Sequence, residues 1–415
     1  MTLRPHSQPA LDALRALAAF AVLVTHVGFQ TGATQQGTWG AVTARFDVGV
    51  AIFFVLSGYL LTLPHVRAAD QRTPGPDARR YLWHRAIRIL PAYWVACLAA
   101  VVLLPENDGV SRATVLRNLG LVQIYRRGDL LQGFTQTWSL CTEVVFYLLL
   151  PLLGVWLVRS LRRGRVASVV LTLASLVVLN EAFLAVSQGT KILDRGLTGF
   201  WLPSFTSWFA GGMALAVLRN SEHPRVGRIR AWLNSAAAAP LACWTIAGAT
   251  LLVAATPLAG PRGFEAEPTA GEAIAKNLLY LAVAVMLMVP VAFGLGRPSA
   301  FRRRLSSRTW RFLGEISYGV FLWHLTVLAL VLRLLSVPLF GGDFIPVLVL
   351  TTAGSVLLAT ASLVMLERPA LRLRDRGPGR RAQPQSTVAS EPPPPQSPDD
   401  GGTVATAAIA PAKDS

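Results

Sequence analysis

Ten stretches of about twenty predominantly apolar residues constrain this chain more than anything else in it. They fall at 10–29, 47–65, 86–104, 137–158, 166–186, 200–218, 238–257, 273–295, 312–335 and 345–366. About twenty apolar residues is the length a helix needs to cross the hydrocarbon of a bilayer. Inside that hydrocarbon each segment must satisfy its own backbone hydrogen bonds, which leaves the helix as the natural conformer. Composition agrees: 53% of residues are hydrophobic and only 15% are charged, too apolar for a soluble chain of 415 residues. The expected fold is therefore all-α, a polytopic integral membrane bundle of about ten transmembrane helices. Asn180, Glu181 and Trp201-Leu-Pro203 interrupt the fifth and sixth stretches and blur their limits.

The formal net charge of +17 is distributed by loop. Arg67, Arg72, Arg79 and Arg80 follow the second stretch, Arg159, Arg162, Arg163 and Arg165 the fourth, Arg219, Arg228 and Arg230 the sixth, and Arg302, Arg303, Arg304 and Arg308 the eighth. Cations gather in cytoplasmic loops, so both termini are expected in the cytoplasm, which requires an even number of spans. Loop placement explains the basicity without nucleic acid as a partner. The loop 105–136 departs from the pattern, with Arg112, Arg117, Arg126 and Arg127 on the outer side. It reads as a solvated loop, or as a lid or acceptor-binding surface. Residues 376–415, rich in Pro, Ser, Gly and Ala with prolines at 392–395, read as a disordered cytoplasmic tail behind a membrane domain spanning 8–370. Three cysteines, Cys97, Cys141 and Cys243, have no metal-ligand spacing, so no metal site is expected. Asp12 and Arg15 inside the first apolar stretch argue for a retained span rather than a cleaved signal.

Ionisable residues within spans are costly and mark functional sites by default. The first stretch holds Arg15 and His26, eleven positions apart. On a helix that is about 16 Å of rise and a rotation within about 20° of three full turns, so both lie on one face. Glu143 is about 9 Å into the fourth span from its outer end, and His324 about 18 Å into the ninth from its inner end. His26, Glu143 and His324 could thus meet in the outer half of one bundle, where a carboxylate-oriented imidazole would make a general base. Arg85 and Arg88 share a helix face at the inner end of the third span. Two guanidinium forks suit a phosphate-bearing ligand, although positive-inside anchoring explains them as well. In the second span, Gly49 and Gly58 would admit a close helix neighbour, and Ser57 could hydrogen-bond across it.

Six motifs stand in a familiar order: Arg15 with ten residues before His26, Phe53-Phe-Val-Leu-Ser-Gly58, Arg85-x-x-Arg88-Ile-Leu-Pro91, Trp138-Ser-Leu-x-x-Glu143-x-x-Phe-Tyr147, Gly314-x-Ile-Ser-Tyr318 and Leu322-Trp-His324. With this order the chain resembles the bacterial membrane-bound acyltransferase-3 family, in its acyltransferase-only form, from about residue 8 to about 370. Glu367-Arg368-Pro369 resembles the family's last-span ending.

The resemblance implies a multi-pass protein of the bacterial inner membrane. It implies an O-acyltransferase whose donor substrate is cytoplasmic acyl-CoA, acetyl-CoA in the first instance, with no permanently bound cofactor. It implies a hydroxyl acceptor on a carbohydrate, glycolipid or other glycosylated molecule of the cell envelope. Arg15 and His26 match the family's first-span pair, and Arg85 and Arg88 its third-span arginine motif. Arg85 and Arg88 would hold the phosphates of coenzyme A, and Arg15 would line the path of its arm. His26 would take the acceptor's proton with Glu143 or His324 orienting it, or would itself be acylated. Two alternatives share these residues: a transporter or flippase for a glycan or lipid, and an acyltransferase for a small secondary metabolite such as a macrolide.

Overall fold

The computed structural model describes residues 9–373 apart from 191, 221–222, 264–266 and 295–298. The tail expected at 376–415 lies outside the described residues. Every regular element among the described residues is helical. Ten of the described helices have fifteen residues or more: α1 (Pro9–Thr31), α2 (Val48–Asp70), α3 (Ala78–Leu103), α4 (Trp138–Arg162), α5 (Val166–Gly189), α6 (Thr206–Asn220), α7 (Pro240–Ala254), α8 (Ala270–Ala292), α9 (Arg308–Leu334) and α10 (Phe344–Ser362). They answer one to one to the ten apolar stretches. The chain is a polytopic helical membrane protein.

Two helices correct the expected lengths. Eight of the described helices are long and apolar enough to cross a membrane, and a ninth if the segment Val226–Ala236 is joined to α7 across a 92° bend. α6 and α7 have 15 residues each, about 22 Å of helix against a hydrocarbon thickness of about 30 Å. The stretches around them remain apolar, but the backbone breaks at a 3-10 turn over Leu202–Ser204 and again before Pro240. The interruption at Trp201-Leu-Pro203 marked the first break; hydropathy does not register the second, which follows the alanines at 236–239.

α6 therefore starts inside the bundle, and its first N–H groups need partners there. Asn180 supplies one, its Oδ1 accepting from the Ser207 N–H at 3.1 Å. Ser207 donates to the Asn277 Oδ1 at 2.6 Å, and Asn277 donates to the Ser204 carbonyl at 3.0 Å. Asn180, which interrupts the hydropathy of α5, and Asn277 of α8 thus serve the end of a neighbouring helix.

Close approach of backbones assembles the centre. Without a hydrophobic drive between helices in lipid, small residues at the contact do this work. A Cβ on Gly58 would collide with the Phe209 carbonyl, and one on Gly212 with the Val55 carbonyl, so α2 and α6 are pressed together at both positions. Gly49 meets the backbone of α1 in the same way. α9 packs between α1 and α10, and Gly319 to Leu328 are buried without a gap. A helix buried on all sides is the core of the bundle. The periphery carries the lipid-facing surface, with Leu171 of α5 and Leu357 of α10 among its exposed side chains.

Outside the spans, side chains tie the segments down. Arg45 is buried and donates to the Ala254 carbonyl at 2.8 Å, the Pro261 carbonyl at 3.2 Å and the Gly260 carbonyl. Asp47 receives Lys276 at 2.7 Å and the Tyr280 hydroxyl. The loop 105–136 is ordered around a short helix, Arg112–Leu119, capped by Ser111, which accepts from the Thr114 N–H at 3.1 Å. Arg117 grips Asp129 with two nitrogens, Arg127 grips Asp194, and the Tyr93 hydroxyl reaches the Asn118 carbonyl at 2.7 Å. Hydrogen bonding to Arg117 holds the Asp129 carboxyl below the usual carboxylate range, against the opposing effect of burial.

Candidate active site

The site lies among α1, α2, α3, α4 and α9. Each places its residues by simple helical spacing. Arg85 and Arg88 are three apart near the start of α3, whose first turn is fixed by Asp77 accepting from the Arg80 N–H at 2.7 Å. Glu143 and Tyr147 are one turn apart on α4, and Phe321 and His324 one turn apart on α9.

A cavity of about 130 Å³ opens between these helices. Arg15, Arg85, Arg88 and Glu143 all line it, with Ser57, Tyr147 and Tyr318 as further polar groups. Three guanidinium groups from two helices therefore face one space, as expected of an anion-binding pocket. Arg15 is held at 2.5 Å by Asp12, one turn earlier on its own helix. The Arg85 guanidinium lies over the rings of Tyr147 at 5.9 Å and Tyr81 at 6.0 Å. Arg88 pairs with the buried Glu367 at 4.0 Å. Glu367 closes a π-helical turn, Leu363–Glu367, that follows α10 and directs it toward α3.

His26 and His324 do pair. His324 Nε2 lies 3.0 Å from His26 Nδ1. On its other side His324 Nδ1 faces the Phe321 carbonyl at 2.8 Å and the Val320 carbonyl at 3.1 Å. Carbonyl oxygens only accept, so Nδ1 carries the proton of a neutral His324. Its Nε2 is then an acceptor, and the bond runs from His26 Nδ1–H to His324 Nε2. That leaves the lone pair of a neutral His26 on Nε2, free to accept a proton. His26 is the candidate base, and His324 the candidate to orient it.

Glu143 does not join them. Its hydrogen bond comes from the Ser57 hydroxyl across the α2–α4 contact, and its carboxylate faces the arginine-lined cavity. The expected meeting of three groups resolves into a histidine dyad and a separate carboxylate. Glu143 turns to Ser57 and the cavity rather than to the dyad. Between the two parts stand aromatic rings. Phe53 and Phe321 line the cavity with ring centroids 6.1 Å apart, Phe321 lies 6.2 Å from His324, and His324 lies 5.1 Å from His26.

Sequence reasoning missed Asp12 as the partner of Arg15 and Glu367 as the partner of Arg88. Asp12 carried a signal, the i to i+3 spacing of opposite charges on a helix. Glu367 carried none, because 279 residues separate it from Arg88.

The model of the acyltransferase-3 family, described as an acyltransferase domain, covers residues 8–363. The chain belongs to the acyltransferase-3 family. It is similar to nodulation protein 10 of Rhizobium leguminosarum bv. viciae, at 25% identity over 88% of this chain and 93% of that one. It is similar to the peptidoglycan O-acetyltransferase OatA of Listeria monocytogenes serovar 1/2a, at 24% identity over 87% of this chain and 55% of that one, so it spans about half the length of that relative. A shorter match joins it to the acyltransferase MdmB of Streptomyces mycarofaciens, at 32% identity over 35% of this chain and 38% of that one. No solved structure matches the chain. As a family member this multi-pass protein is an O-acyltransferase.

Proposed function

We propose that the protein transfers an acyl group, acetyl in the first instance, from cytoplasmic acyl-CoA to a hydroxyl of a carbohydrate or glycosylated acceptor at the bacterial inner membrane. One observation carries this reading: Arg15, Arg85 and Arg88 line one cavity, and Phe321, which lines it too, has its ring 6.2 Å from that of His324, the hydrogen-bond partner of His26. A polyanionic donor needs cations at one end of its path, and a weak oxygen nucleophile needs a base at the other. The name of the Listeria relative, a peptidoglycan O-acetyltransferase, supports acetyl as the group and a glycan as the acceptor. With both termini in the cytoplasm, as the loop arginines indicate, Arg85 and Arg88 stand at the donor's side.

In this reading Arg85 and Arg88 hold the phosphates and the acylated arm lies along the cavity past Arg15. His26 Nε2 takes the proton of the acceptor hydroxyl as its oxygen attacks the thioester carbonyl. The new C–O bond forms, the C–S bond breaks, and coenzyme A leaves as a thiolate that takes up a proton. His324 keeps the His26 ring in the tautomer that can act. Glu143 offsets part of the arginine charge in the cavity. Transfer is direct in this scheme, with no acyl-histidine stage.

The test uses membranes carrying the wild type or His26→Ala at matched expression, supplied with isotopically labelled acetyl-CoA. Label should enter base-labile material with the wild type and not with the variant, and the product names the acceptor. Equal labelling by both proteins would remove His26 from the reaction. Movement of glycan across vesicles without any acyl donor would favour transport instead.

A further inference from the structure

We infer that Phe53 and Phe321 set the length of the acyl group the enzyme accepts, restricting it to short chains. This rests on the donor reading above. The cavity follows α2 from Val50 to Leu60, about 15 Å of helix. Arg85 and Arg88, with Leu60 and Tyr147, mark one end; Val50, Phe53 and Phe321 mark the other. A donor gripped by its phosphates at the arginines must advance with its acyl group leading. At that end stands the pair of rings, 6.1 Å apart and set edge to face at 64°.

Phe321 is also the ring between the cavity and the base. It lines the cavity, whereas His324, one turn further along α9, and His26 do not. A thioester carbonyl can reach His26 only along the edge of Phe321, and any carbon beyond the carbonyl must fit against the same ring. Phe321 is 8% exposed and packed on its neighbours, so the wall does not yield at small cost. One methylene too many in a rigid apolar pocket costs a substrate roughly 10- to 200-fold in kcat/KM. Chain length is thus read at the wall, with no group that recognises the acyl chain itself.

The experiment compares acetyl-, propionyl-, butyryl- and hexanoyl-CoA as donors for the wild type, Phe321→Leu, Phe321→Ala and Phe53→Leu, in membranes supplied with cell extract as acceptor source. The readout is the ratio of transfer between donors within one preparation, so a lower yield of folded variant cancels. The wild type should favour acetyl-CoA, with transfer falling about tenfold or more over the first added methylenes. Phe321→Ala should raise butyryl over acetyl transfer by at least tenfold, and the two Leu variants should shift the ratio less in the same direction. An unchanged ratio in all three variants, or equal use of acetyl- and hexanoyl-CoA by the wild type, overturns the inference while leaving acyl transfer intact. Absence of transfer from every acyl-CoA by the wild type would instead overturn the donor reading, and the inference with it.

Discussion

His324 holds His26 through a bond whose direction is decided on the far side of the ring: two α9 carbonyls at Nδ1 make Nε2 the acceptor of the His26 N–H. The relationship separates two roles that share one chemistry. Only one of the two imidazoles has a nitrogen left for a substrate.

The two histidines should therefore fail differently. His26→Ala should lower kcat by about 10²- to 10⁴-fold, the usual contribution of a positioned base. His324→Ala should lower it less, since His26 retains its Nε2 and loses only orientation. Neither histidine lines the donor cavity, so donor KM should change little in either variant. Steady-state kinetics with a donor titration checks both. A large rise in donor KM for His324→Ala would contradict the assignment.

Glu143 should behave as a resident of the donor cavity. Glu143→Gln keeps an acceptor for the Ser57 hydroxyl and removes one negative charge facing a polyanion. Removing one negative charge from the arginine-lined cavity is worth on the order of 1 kcal/mol to a bound polyanion, so donor KM should fall about fivefold. Donor titration reads this directly. A fall in kcat with donor KM unchanged would return Glu143 to the proton-transfer step.

Packing of α2 on α6 gives a stability prediction with an internal control. Gly212→Ala and Gly58→Ala each drive a methyl into a facing carbonyl. Overpacking of this kind costs typically about 1–3 kcal/mol, and a backbone obstacle cannot rotate away. Gly248→Ala, on α7, meets nothing within 4 Å and should be neutral or slightly stabilising through helix propensity. Thermal unfolding in detergent should rank the three in that order.

Acid should release the outer loop only well below neutrality. Asp129 titrates below its unfolded value, near 3.8, because its hydrogen bonds to Arg117 favour the ionised form. A depressed carboxyl contributes stability that is complete above the unfolded value and disappears as pH falls through the folded one. Hydrogen exchange in the segment 105–136 should thus be nearly constant from pH 8 to pH 5 once corrected for intrinsic rates, and protection should drop below about pH 4. Asp129→Asn should lower protection in that segment across the whole range. Loss of wild-type protection between pH 7 and pH 5 would point to another group.

The helices and their order were legible because apolar length and loop charge are properties of composition. So was the face shared by Arg15 and His26, since eleven helical steps return nearly to their start. What failed shares one cause. Sequence spacing gives the height of a residue along its own helix, but neighbours decide how that helix is rotated. Glu143 faces Ser57 instead of His26. The aromatic wall of Phe53 and Phe321, and the pairing of Arg88 with Glu367, depend on the same rotation. The break ahead of α6 was marked by Trp201-Leu-Pro203, but the groups that serve the new helix end were not. Asn180 reads as a blemish in its own helix, and only the structure shows that it and Asn277 serve the start of α6.

The dyad joins side chains 298 residues apart. At a synthesis rate of about 5–20 residues per second, His26 emerges about 15–60 s before its partner. Through that interval His26 lacks the partner that fixes its ring. Arg15, Arg85, Arg88 and Glu143 are by then synthesised, but the cavity still lacks the wall that Ser317, Tyr318 and Phe321 supply. In the proposed scheme, transfer chemistry is thus a late event in the life of each nascent chain, because α9 brings both one wall of the cavity and the partner of the base.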